Sequence, residues 1–571
     1  MQTTLTAEKA ARYTAEGWWT DRIITDDLDA VAAAHPDRVA AVTPHETITY
    51  GELARRSVRV ALGLLELGVR PGDVVSYQLP NRTEFLVLHH AATRIGAVNN
   101  PLIPIYRDRE VGFMVGLAES KVLVVPQEFR GFDYPAMVER LRPQWPDLQH
   151  VLVVGDGSWE EFAGTPWEER RDPAELAALR PDPDDPTLLI FTSGTTGEPK
   201  GVLHSHHTLM AANAPLPKRL GVGPDDVIHM ASTFAHLTGF LYGVRLPVQV
   251  GGATAVYQDV WNPEQFTELV EEHRITYTSA ATPFLHDTLN TPSSATRDLS
   301  SLRLFCCFGA PIPRAIVREA RRRLPGLTVL GGWGQSENAL VTLGIPGDPE
   351  EKIVERDGYP FPGMEIRVID LGGTPLPAGQ EGRLQVRGPF LFAGYLHRPE
   401  LTAASYDGDW FDTGDVAQID ADGYLNITGR TKDVIIRGGE NIPVAYVENV
   451  LYEHPDVAAV ALVGLPDPRL QERACAVVVL KPALDPELAQ DPGKGFTMDD
   501  MRAFLAEKGV ARQYWPERLE LMSELPRTAS GKIRKFELRD MLRPASEPAS
   551  EQSTQWPRRC EPPSERSEDE R

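Results

Sequence analysis

The sequence predicts an α/β protein with a large N-terminal domain of mixed α/β/α sheets, a β-rich subdomain and a small C-terminal α+β domain. Short apolar runs alternate with amphipathic stretches up to about residue 430, which is typical of strands separated by helices. A turn-rich segment from Asp357 to Asp422 is dense in Gly, Pro and Asp and indicates the β-rich subdomain. At about Thr431 the alternation restarts, which indicates a second domain.

Individual elements follow from the spacing of apolar residues. Helical spacing predicts helices over Gly51–Leu67 and Pro263–His273. Continuous apolar runs predict buried strands over Asp73–Leu79 and Lys121–Val125. Arg383–Val386 reads as a strand of the β-rich subdomain.

The C-terminal region contains its own helices and strands. We predict helices over Tyr446–Tyr452 and Met498–Lys508 and strands over Val457–Val463 and Ala474–Leu480. The final residues, 544–571, are rich in Pro, Ser and Glu and nearly devoid of aliphatic residues. Such a tail buries too little apolar surface to order itself, so we predict that it is disordered.

Composition limits the class of partner. The 571-residue chain is too long for one core, and its net charge of −23 opposes non-specific binding to nucleic acid or to an anionic membrane. An anionic substrate would therefore need local cations and a metal.

Four cysteines make no disulfide framework, and the adjacent Cys306 and Cys307 are expected to be buried. With no signal-like N-terminus and no long apolar run, we expect a cytoplasmic protein without a membrane span.

A glycine- and hydroxyl-rich run follows a predicted buried strand at Thr187–Phe191. Its residues are Thr192, Ser193, Gly194, Thr195, Thr196, Gly197, Glu198, Pro199, Lys200 and Gly201. Glycines allow backbone N–H groups to converge on an anion, while hydroxyls and Lys200 add donors and charge. The spacing differs from that of P-loop NTPases because Gly201 follows the lysine. The run therefore predicts a phosphate-binding loop.

This run resembles the signature loop of the adenylate-forming (ANL) superfamily, which includes acyl-CoA synthetases, luciferases and the adenylation domains of peptide synthetases. The resemblance implies the ANL fold, with a mobile C-terminal domain that carries a catalytic lysine. It also implies ATP/AMP contacts for seven residues of the run: Thr192, Ser193, Gly194, Thr195, Thr196, Gly197 and Lys200.

Two further segments resemble the parts of the family that surround adenine. Gly331–Glu337 is similar to a Y-G-x-T-E segment, which implies that the Trp333 ring lies against adenine and that Glu337 holds magnesium. Tyrosine is more usual at the tryptophan position, but both rings are flat stacking surfaces. The second segment, Gly309, Ala310 and Pro311, resembles the adenine-lining G-A-P turn of the family. The nucleotide contacts implied by the two segments are Gly309, Ala310, Pro311, Trp333, Gly334, Gln335 and Ser336.

The resemblance continues through the predicted domain boundary. It implies that Asp415 binds the ribose hydroxyls, that Arg430 contacts the ribose and that Lys432 is the hinge. A carboxylate suits the ribose because it accepts two hydroxyl donors at once. The loop Gly438, Gly439 and Glu440 is implied to line the path of coenzyme A. We accordingly expect domains at 1–431 and 432–543, followed by the tail at 544–571.

Lys532 lies in a segment similar to the catalytic lysine segment of the family. The resemblance implies that Lys532 bridges the incoming carboxylate and the α-phosphate. It also suggests that a lysine acetyltransferase silences the enzyme at Lys532, because acetylation removes the charge.

The segment Thr233–Gly239 resembles the wall of the acyl pocket. The residues implied to form this pocket are Phe234, His236, Gly239 and Gly332, with His236 near the substrate carboxylate in a catalytic role; His236 could also be a satisfied core residue. The segment lacks the Asp that would hold an α-amine, which disfavours amino acids. We predict no metal site at the histidines of His204–His207, because no Cys or carboxylate stands at ligand spacing.

The sequence is similar over roughly residues 15–543 to cyclohexanecarboxylate–CoA ligases and to short- and medium-chain fatty acid–CoA ligases. The resemblance implies ATP-dependent activation of such an acid to an acyl-adenylate and its transfer to coenzyme A, with ATP, Mg²⁺ and coenzyme A required. Two alternatives stay open: loading of a separate carrier protein, and a non-catalytic ligand-binding relative.

Overall fold

The computed structural model describes residues 5–192, 199–309, 312–431, 433, 435–437, 440–467, 469–481, 496–528 and 532–543. Two large sheets, a third antiparallel sheet and a C-terminal sheet carry the helices around them. This is the mixed α/β architecture that the sequence predicts.

The first large sheet has seven strands and is mostly parallel. In spatial order its strands are Gly394–Tyr395, Lys200–Ser205, Pro186–Thr192, Val98–Pro101, Val74–Tyr77, Val122–Pro126 and His150–Val154. Lys200 pairs with Thr192 in antiparallel register, so the phosphate-loop run connects two adjacent strands of one hairpin.

The second large sheet has nine strands, with a parallel centre and antiparallel ends. In spatial order its strands are Tyr359–Pro360, Ala339–Leu343, Thr328–Gln335, Leu304–Cys307, Tyr277–Ala280, Val227–Met230, Thr254–Tyr257, Val39–Val42 and Thr47–Thr49. One apolar cluster includes Val75 of the first sheet and Ile228 of the second, so the two sheets share a core.

Two smaller sheets complete the chain. The β-rich subdomain contains Glu365–Ile369, Glu381–Arg387, Tyr406–Asp407, Trp410–Ile419 and Leu425–Arg430. The C-terminal sheet contains Ile435–Arg437, Glu440–Ile442, Val457–Asp467, Gln471–Leu480 and Arg518–Leu521. A hairpin of Glu128–Phe129 and Phe132–Asp133 stands apart from them.

The helices surround these sheets. In the larger part of the chain they are Ala7–Ala15, Ile24–Ala34, Tyr50–Glu66, Thr83–Arg94, Asp108–Leu117, Tyr134–Leu141, Ser158–Gly164, Glu175–Ala178, His206–Asn213, Pro215–Leu220, Leu237–Gly239, Leu246–Gln249, Pro263–His273, Thr282–Asn290, Arg314–Arg323, Glu350–Glu355 and Pro399–Ala404. The C-terminal helices are Val444–Tyr452, Met498–Glu507 and Lys535–Leu542. A π-helical turn occupies Phe240–Arg245.

The helices predicted from apolar spacing are confirmed to within a few residues. Those expected over Gly51–Leu67, Pro263–His273, Tyr446–Tyr452 and Met498–Lys508 lie at Tyr50–Glu66, Pro263–His273, Val444–Tyr452 and Met498–Glu507. Local chemistry fixes two of the starts: Thr49 Oγ1 accepts from the Glu52 amide, and Asn262 caps a helix that begins with proline.

The predicted strands are confirmed as well. Those expected over Asp73–Leu79, Lys121–Val125, Thr187–Phe191, Arg383–Val386, Val457–Val463 and Ala474–Leu480 lie at Val74–Tyr77, Val122–Pro126, Pro186–Thr192, Glu381–Arg387, Val457–Asp467 and Gln471–Leu480. Cys306 and Cys307 are fully buried, as expected. Within the described ranges, no helix combines the length and apolarity needed to cross a bilayer.

Candidate active site

A cavity with an empty volume of about 400 Å³, its open mouth included, lies where several elements converge. It is lined by His236, Leu237, Thr238, Leu241, Tyr242, Phe308, Gly309, Gly334, Gln335, Ser336, Ala339, Leu340 and Lys532. The parallel strands Leu304–Cys307 and Thr328–Gln335 both reach it with their carboxyl ends. This is the edge at which α/β sheets bind ligands. Lys532 is contributed by the C-terminal region.

Lys532 lines the cavity, and its backbone is held by two hydrogen bonds to Thr528. Its amide donates to Thr528 Oγ1 at 3.0 Å, and the Thr528 amide donates to the Lys532 carbonyl at 2.7 Å. Burial, together with the charge of Arg430, lowers the pKa of Lys532 to about 8, although Asp415 and Glu337 oppose the shift. The lysine is therefore a partly desolvated cation near neutral pH.

His236 faces the same cavity as a neutral imidazole. Burial, and secondarily the charge of Lys532, lowers the pKa of His236 to about 3. Its Nδ1 accepts from the Thr238 amide at 3.3 Å, which assigns the ring proton to Nε2. Gly239 makes this tight turn sterically feasible, because a Cβ there would approach the Thr233 carbonyl oxygen to 2.0 Å. His236 can thus donate a hydrogen bond to a substrate oxygen without carrying charge.

Asp415 is a buried carboxylate that collects three donors. Trp333 Nε1 donates to Oδ2 at 2.8 Å, Gln335 Nε2 donates to the same oxygen at 3.0 Å, and Arg430 Nε donates to Oδ1 at 2.8 Å. Asp415 is only 2% exposed, and its charge is the largest cause of the raised pKa of Arg430. The network joins four residues that the sequence singled out separately, and it fixes the Trp333 ring by its indole N–H.

The tight turn after Trp333 places Glu337. The Gln335 amide donates to Asn338 Oδ1 at 2.7 Å, and Ala339 closes the turn in the left-handed region with φ of 52°. Gly334 is required here, because a Cβ would lie 1.8 Å from the Ala339 carbonyl oxygen. Glu337 Oε1 accepts from the Tyr395 hydroxyl at 2.9 Å.

The Glu337 carboxylate fits a magnesium ion that arrives with a nucleotide. The described residues form no group of three or more His, Cys, Asp or Glu that could hold a metal. Mg²⁺ commonly uses one or two carboxylates together with substrate phosphates and water. Glu337 is half-buried, and only its Oε1 accepts the Tyr395 hydrogen bond among the bonds described above. Its carboxylate therefore suits a magnesium ion that also binds phosphate and water.

Of the four residues expected in the acyl pocket, His236 lines the cavity, whereas Phe234, Gly239 and Gly332 are not among its lining residues. Phe234 is fully buried and packs edge-on against Phe85 and Tyr257, so its ring belongs to the core beneath the cavity. Gly332 lies within a strand, where a Cβ would lie 2.7 Å from the Thr342 carbonyl oxygen, and it does not line the cavity. Both positions follow from close packing of the strands.

Other side chains form the inner wall. Tyr242 and Phe308 pack edge-to-face with ring centroids 5.4 Å apart, and Leu241 and Leu340 complete an apolar surface. Tyr242 lies on the π-helical turn, a feature frequent at functional sites. Sequence patterns missed these residues, since the turn that exposes them has neither helical nor strand periodicity.

The three histidines near the phosphate loop each have a separate structural partner. His204 Nε2 bonds to the Ser336 carbonyl at 2.7 Å, His206 Nδ1 accepts from the Ile24 amide at 3.3 Å, and His207 stacks on Trp19. His204 thereby anchors the turn that presents Glu337.

Several predicted site residues lie outside the described residues. These are Ser193, Gly194, Thr195, Thr196, Gly197, Ala310, Pro311, Lys432, Gly438 and Gly439, together with the tail 544–571. The backbone at Thr192, Lys200, Gly309 and Glu440 is described.

Comparison with known proteins shows the family to which the chain belongs. The AMP-binding enzyme family matches residues 28–396, and the AMP-binding enzyme C-terminal domain matches residues 446–532. A medium-chain fatty-acid–CoA ligase of Escherichia coli (strain K12) is 36% identical over 550 residues, covering 95% of each chain. A salicyl-AMP ligase / salicyl-S-ArCP synthetase of Mycobacterium tuberculosis is 33% identical over 96% of this chain and 95% of its own.

A solved structure shows the same architecture. The anthranilate CoA ligase AuaEII, crystallised with anthranoyl-AMP, superposes with a TM-score of 0.82 at 25% identity. The superposition covers 91% of this chain and 97% of that one. Sequence and fold therefore agree: the chain belongs to the AMP-binding enzyme family and has the fold of the adenylate-forming enzymes.

Proposed function

We propose that the protein is an acid–CoA ligase, which converts a carboxylic acid and ATP to an acyl-adenylate and then transfers the acyl group to coenzyme A. Membership of the family supports ATP-dependent formation of the acyl-adenylate. The observation that carries the proposal is the presence of Lys532 in one cavity with His236 and the Gly334–Ser336 segment. A partly desolvated cation and a neutral donor line the cavity in which carboxylate and phosphate would meet.

The first half-reaction joins two anions. A carboxylate oxygen attacks the α-phosphorus of ATP, the bond to the bridging oxygen breaks, and pyrophosphate leaves with the electron pair. Such reactions depend mainly on positioning and on neutralising developing charge. We assign Lys532 to the carboxylate and α-phosphate, and His236 to a carboxylate oxygen through Nε2–H.

The nucleotide is held by groups that surround the cavity. We assign Asp415 and Arg430 to the ribose, Trp333 to adenine, and Lys200 with its loop to the phosphates. Glu337 would hold Mg²⁺, which when bound would neutralise phosphate charge. The half-buried carboxylate and its Tyr395 hydrogen bond support that assignment.

The second half-reaction requires a different arrangement at the cavity. The thiolate sulfur of coenzyme A attacks the acyl carbonyl carbon and releases AMP, so the thiol must approach a site that Lys532 fills here. We propose that the domain 432–543 rotates about Lys432 and brings the loop of Gly438, Gly439 and Glu440 inward. The same rotation would expose Lys532 to a lysine acetyltransferase.

The acid is proposed to be medium-chain or alicyclic. The apolar wall of Leu241, Tyr242, Phe308 and Leu340 supports a hydrocarbon substituent. The Escherichia coli relative is named for medium-chain fatty acids, whereas other relatives are named for ring acids.

A second candidate function is loading of a carrier protein. It is favoured by the Mycobacterium tuberculosis relative, which is named a salicyl-S-ArCP synthetase. The two functions share the first half-reaction and differ only in the thiol that accepts the acyl group.

The deciding experiment measures AMP and pyrophosphate with ATP and Mg²⁺ over a panel of acids, with and without coenzyme A. The panel covers acetate to dodecanoate, cyclohexanecarboxylate, benzoates and amino acids. Coenzyme A-dependent turnover with a thioester product is the expected result. Pyrophosphate exchange without such turnover would instead support carrier loading, and silence throughout would contradict adenylation of these acids.

A further inference from the structure

We infer that Tyr395 is a positioning residue that holds both Glu337 and Lys200 ready for the metal-bound nucleotide. The inference rests on the proposed metal role of Glu337. Tyr395 lies outside the motifs that the sequence singled out and outside the lining of the cavity.

Tyr395 contacts both charged groups with different parts of its side chain. Its hydroxyl donates to Glu337 Oε1 at 2.9 Å, and Lys200 Nζ lies over its ring, 5.0 Å from the centroid. Tyr395 is 5% exposed, whereas Lys200 and Glu337 are half-buried. One buried side chain therefore touches the proposed metal ligand and the lysine of the phosphate loop.

The backbone around Tyr395 is fixed to the same two elements. Tyr395 pairs with Val202 in the strand that begins at Lys200, and the Leu396 amide donates to the Gly201 carbonyl at 2.8 Å. The Phe392 amide donates to the Glu337 carbonyl at 2.8 Å. The ring is consequently held between two elements that are far apart in sequence.

Tyrosine has a chemical advantage over an ionic partner at this position. A direct ion pair would neutralise Lys200 and Glu337, and no such pair joins them among the ion pairs of the described residues. An aromatic face attracts a lysine without removing its charge, and a phenol donates to a carboxylate without neutralising it. A phenol is protonated near neutral pH, so the hydroxyl is a donor to the carboxylate. Both charges therefore stay available for the nucleotide.

The test compares Tyr395→Phe, which removes only the hydroxyl, with Tyr395→Leu, which also removes the ring. Binding of Mn²⁺ in the ATP complex is measured by water-proton relaxation, and metal-free ATP binding is measured by calorimetry with EDTA. We expect Tyr395→Phe to weaken Mn²⁺ binding about tenfold, because loss of a hydrogen-bond partner of a metal ligand typically costs about 10- to 100-fold in metal affinity. The affinity for metal-free ATP should not change in this variant. Tyr395→Leu should in addition weaken metal-free ATP binding about threefold, because Lys200 loses its ring.

Two controls separate the possible failures. Tyr406→Phe removes a hydroxyl from the same aromatic cluster and should leave Mn²⁺ and ATP affinities unchanged. Glu337→Gln should weaken Mn²⁺ binding strongly.

If Glu337→Gln has this effect and Tyr395→Phe binds Mn²⁺ like the wild type, the role of Tyr395 is overturned. Wild-type Mn²⁺ affinity in Glu337→Gln would instead overturn the metal role of Glu337. A thermal midpoint near that of the wild type shows that each variant is folded.

Discussion

At the scale of single residues, two side chains at the cavity have opposite electrostatic tasks. Lys532 brings a charge to the site, whereas His236 is kept neutral by burial and by the lysine itself. The neutral imidazole donates from Nε2 because its Nδ1 is occupied by the Thr238 amide. If Lys532 has the role proposed above, its removal should affect the adenylation step selectively.

Lys532→Ala should lower the rate of acyl-adenylate formation by about 10²–10³, because a preorganised charge is lost at the developing negative charge. Thioester formation from a supplied acyl-adenylate should be spared. Pyrophosphate exchange and single-turnover thioester formation measure the two steps. Lys218→Ala, at an exposed position, is the matched control. Equal loss in both half-reactions would contradict the assignment.

The adenylation half-reaction should also lose activity on the alkaline side. Lys532 acts as a cation, and a pKa lowered to about 8 means that its proton is lost as pH rises through 8. We expect kcat/KM for adenylation to fall above about pH 8, since this parameter reports the free enzyme. A pH profile of pyrophosphate exchange measures it, and Lys532→Arg should remove the alkaline limb because arginine stays protonated. A limb unchanged in that variant would assign the titration to another group.

Among the helices and strands, apolar periodicity was sufficient for the segments that the sequence analysis names. The helix Pro263–His273 was predicted with both ends correct, because a proline follows the Asn262 cap. Periodicity could not give the apolar wall of the cavity, since Tyr242 and Phe308 meet only after the π-helical turn packs against a strand end. Nor could it show that Phe234 belongs to the core, because its partner Phe85 lies far away in sequence.

Tyr242 should limit the size of the acid. Tyr242→Leu opens the inner wall, so we expect the ratio of kcat/KM for a longer acid to that for a shorter one to rise about tenfold. The acid panel described above measures the ratio. Tyr257→Leu is the control, because Tyr257 is equally buried and packs on Phe234 without lining the cavity. A similar shift in both variants would indicate general loosening of the core.

Across the whole molecule, a surface ion pair connects the larger part to the C-terminal region in the arrangement that brings Lys532 to the cavity. Arg318 of the larger part lies 3.6 Å from Glu453 of the C-terminal region. Arg318 also contacts Glu355 within the larger part, and Lys508 lies 2.8 Å from Glu453 within the C-terminal region. Exposed pairs of this kind contribute about 0.2–1 kcal/mol. A pair of this strength would oppose the rotation proposed above only weakly.

Reversing one charge should bias the halves away from this arrangement. Arg318→Glu should lower the ratio of adenylation rate to thioester-forming rate by about two- to fivefold at low salt, and the effect should shrink at high salt. Half-reaction rates measure the ratio. Adding Glu453→Lys should restore it. Arg297→Glu, whose partners Glu268 and Glu271 lie within the larger part, should leave it unchanged; a salt-independent loss would contradict the ionic explanation.

The π-helical turn also bears on how such enzymes change substrates over evolution. A π-helical turn is related to an α-helical one by a single extra residue. Losing one codon between Leu237 and Tyr242 would rotate the following side chains by about 100° around the helix axis. Tyr242 would then leave the wall while His236 kept its place upstream. By the assignments proposed above, one deletion would change which acid fits the cavity and keep the residues that act on its carboxylate.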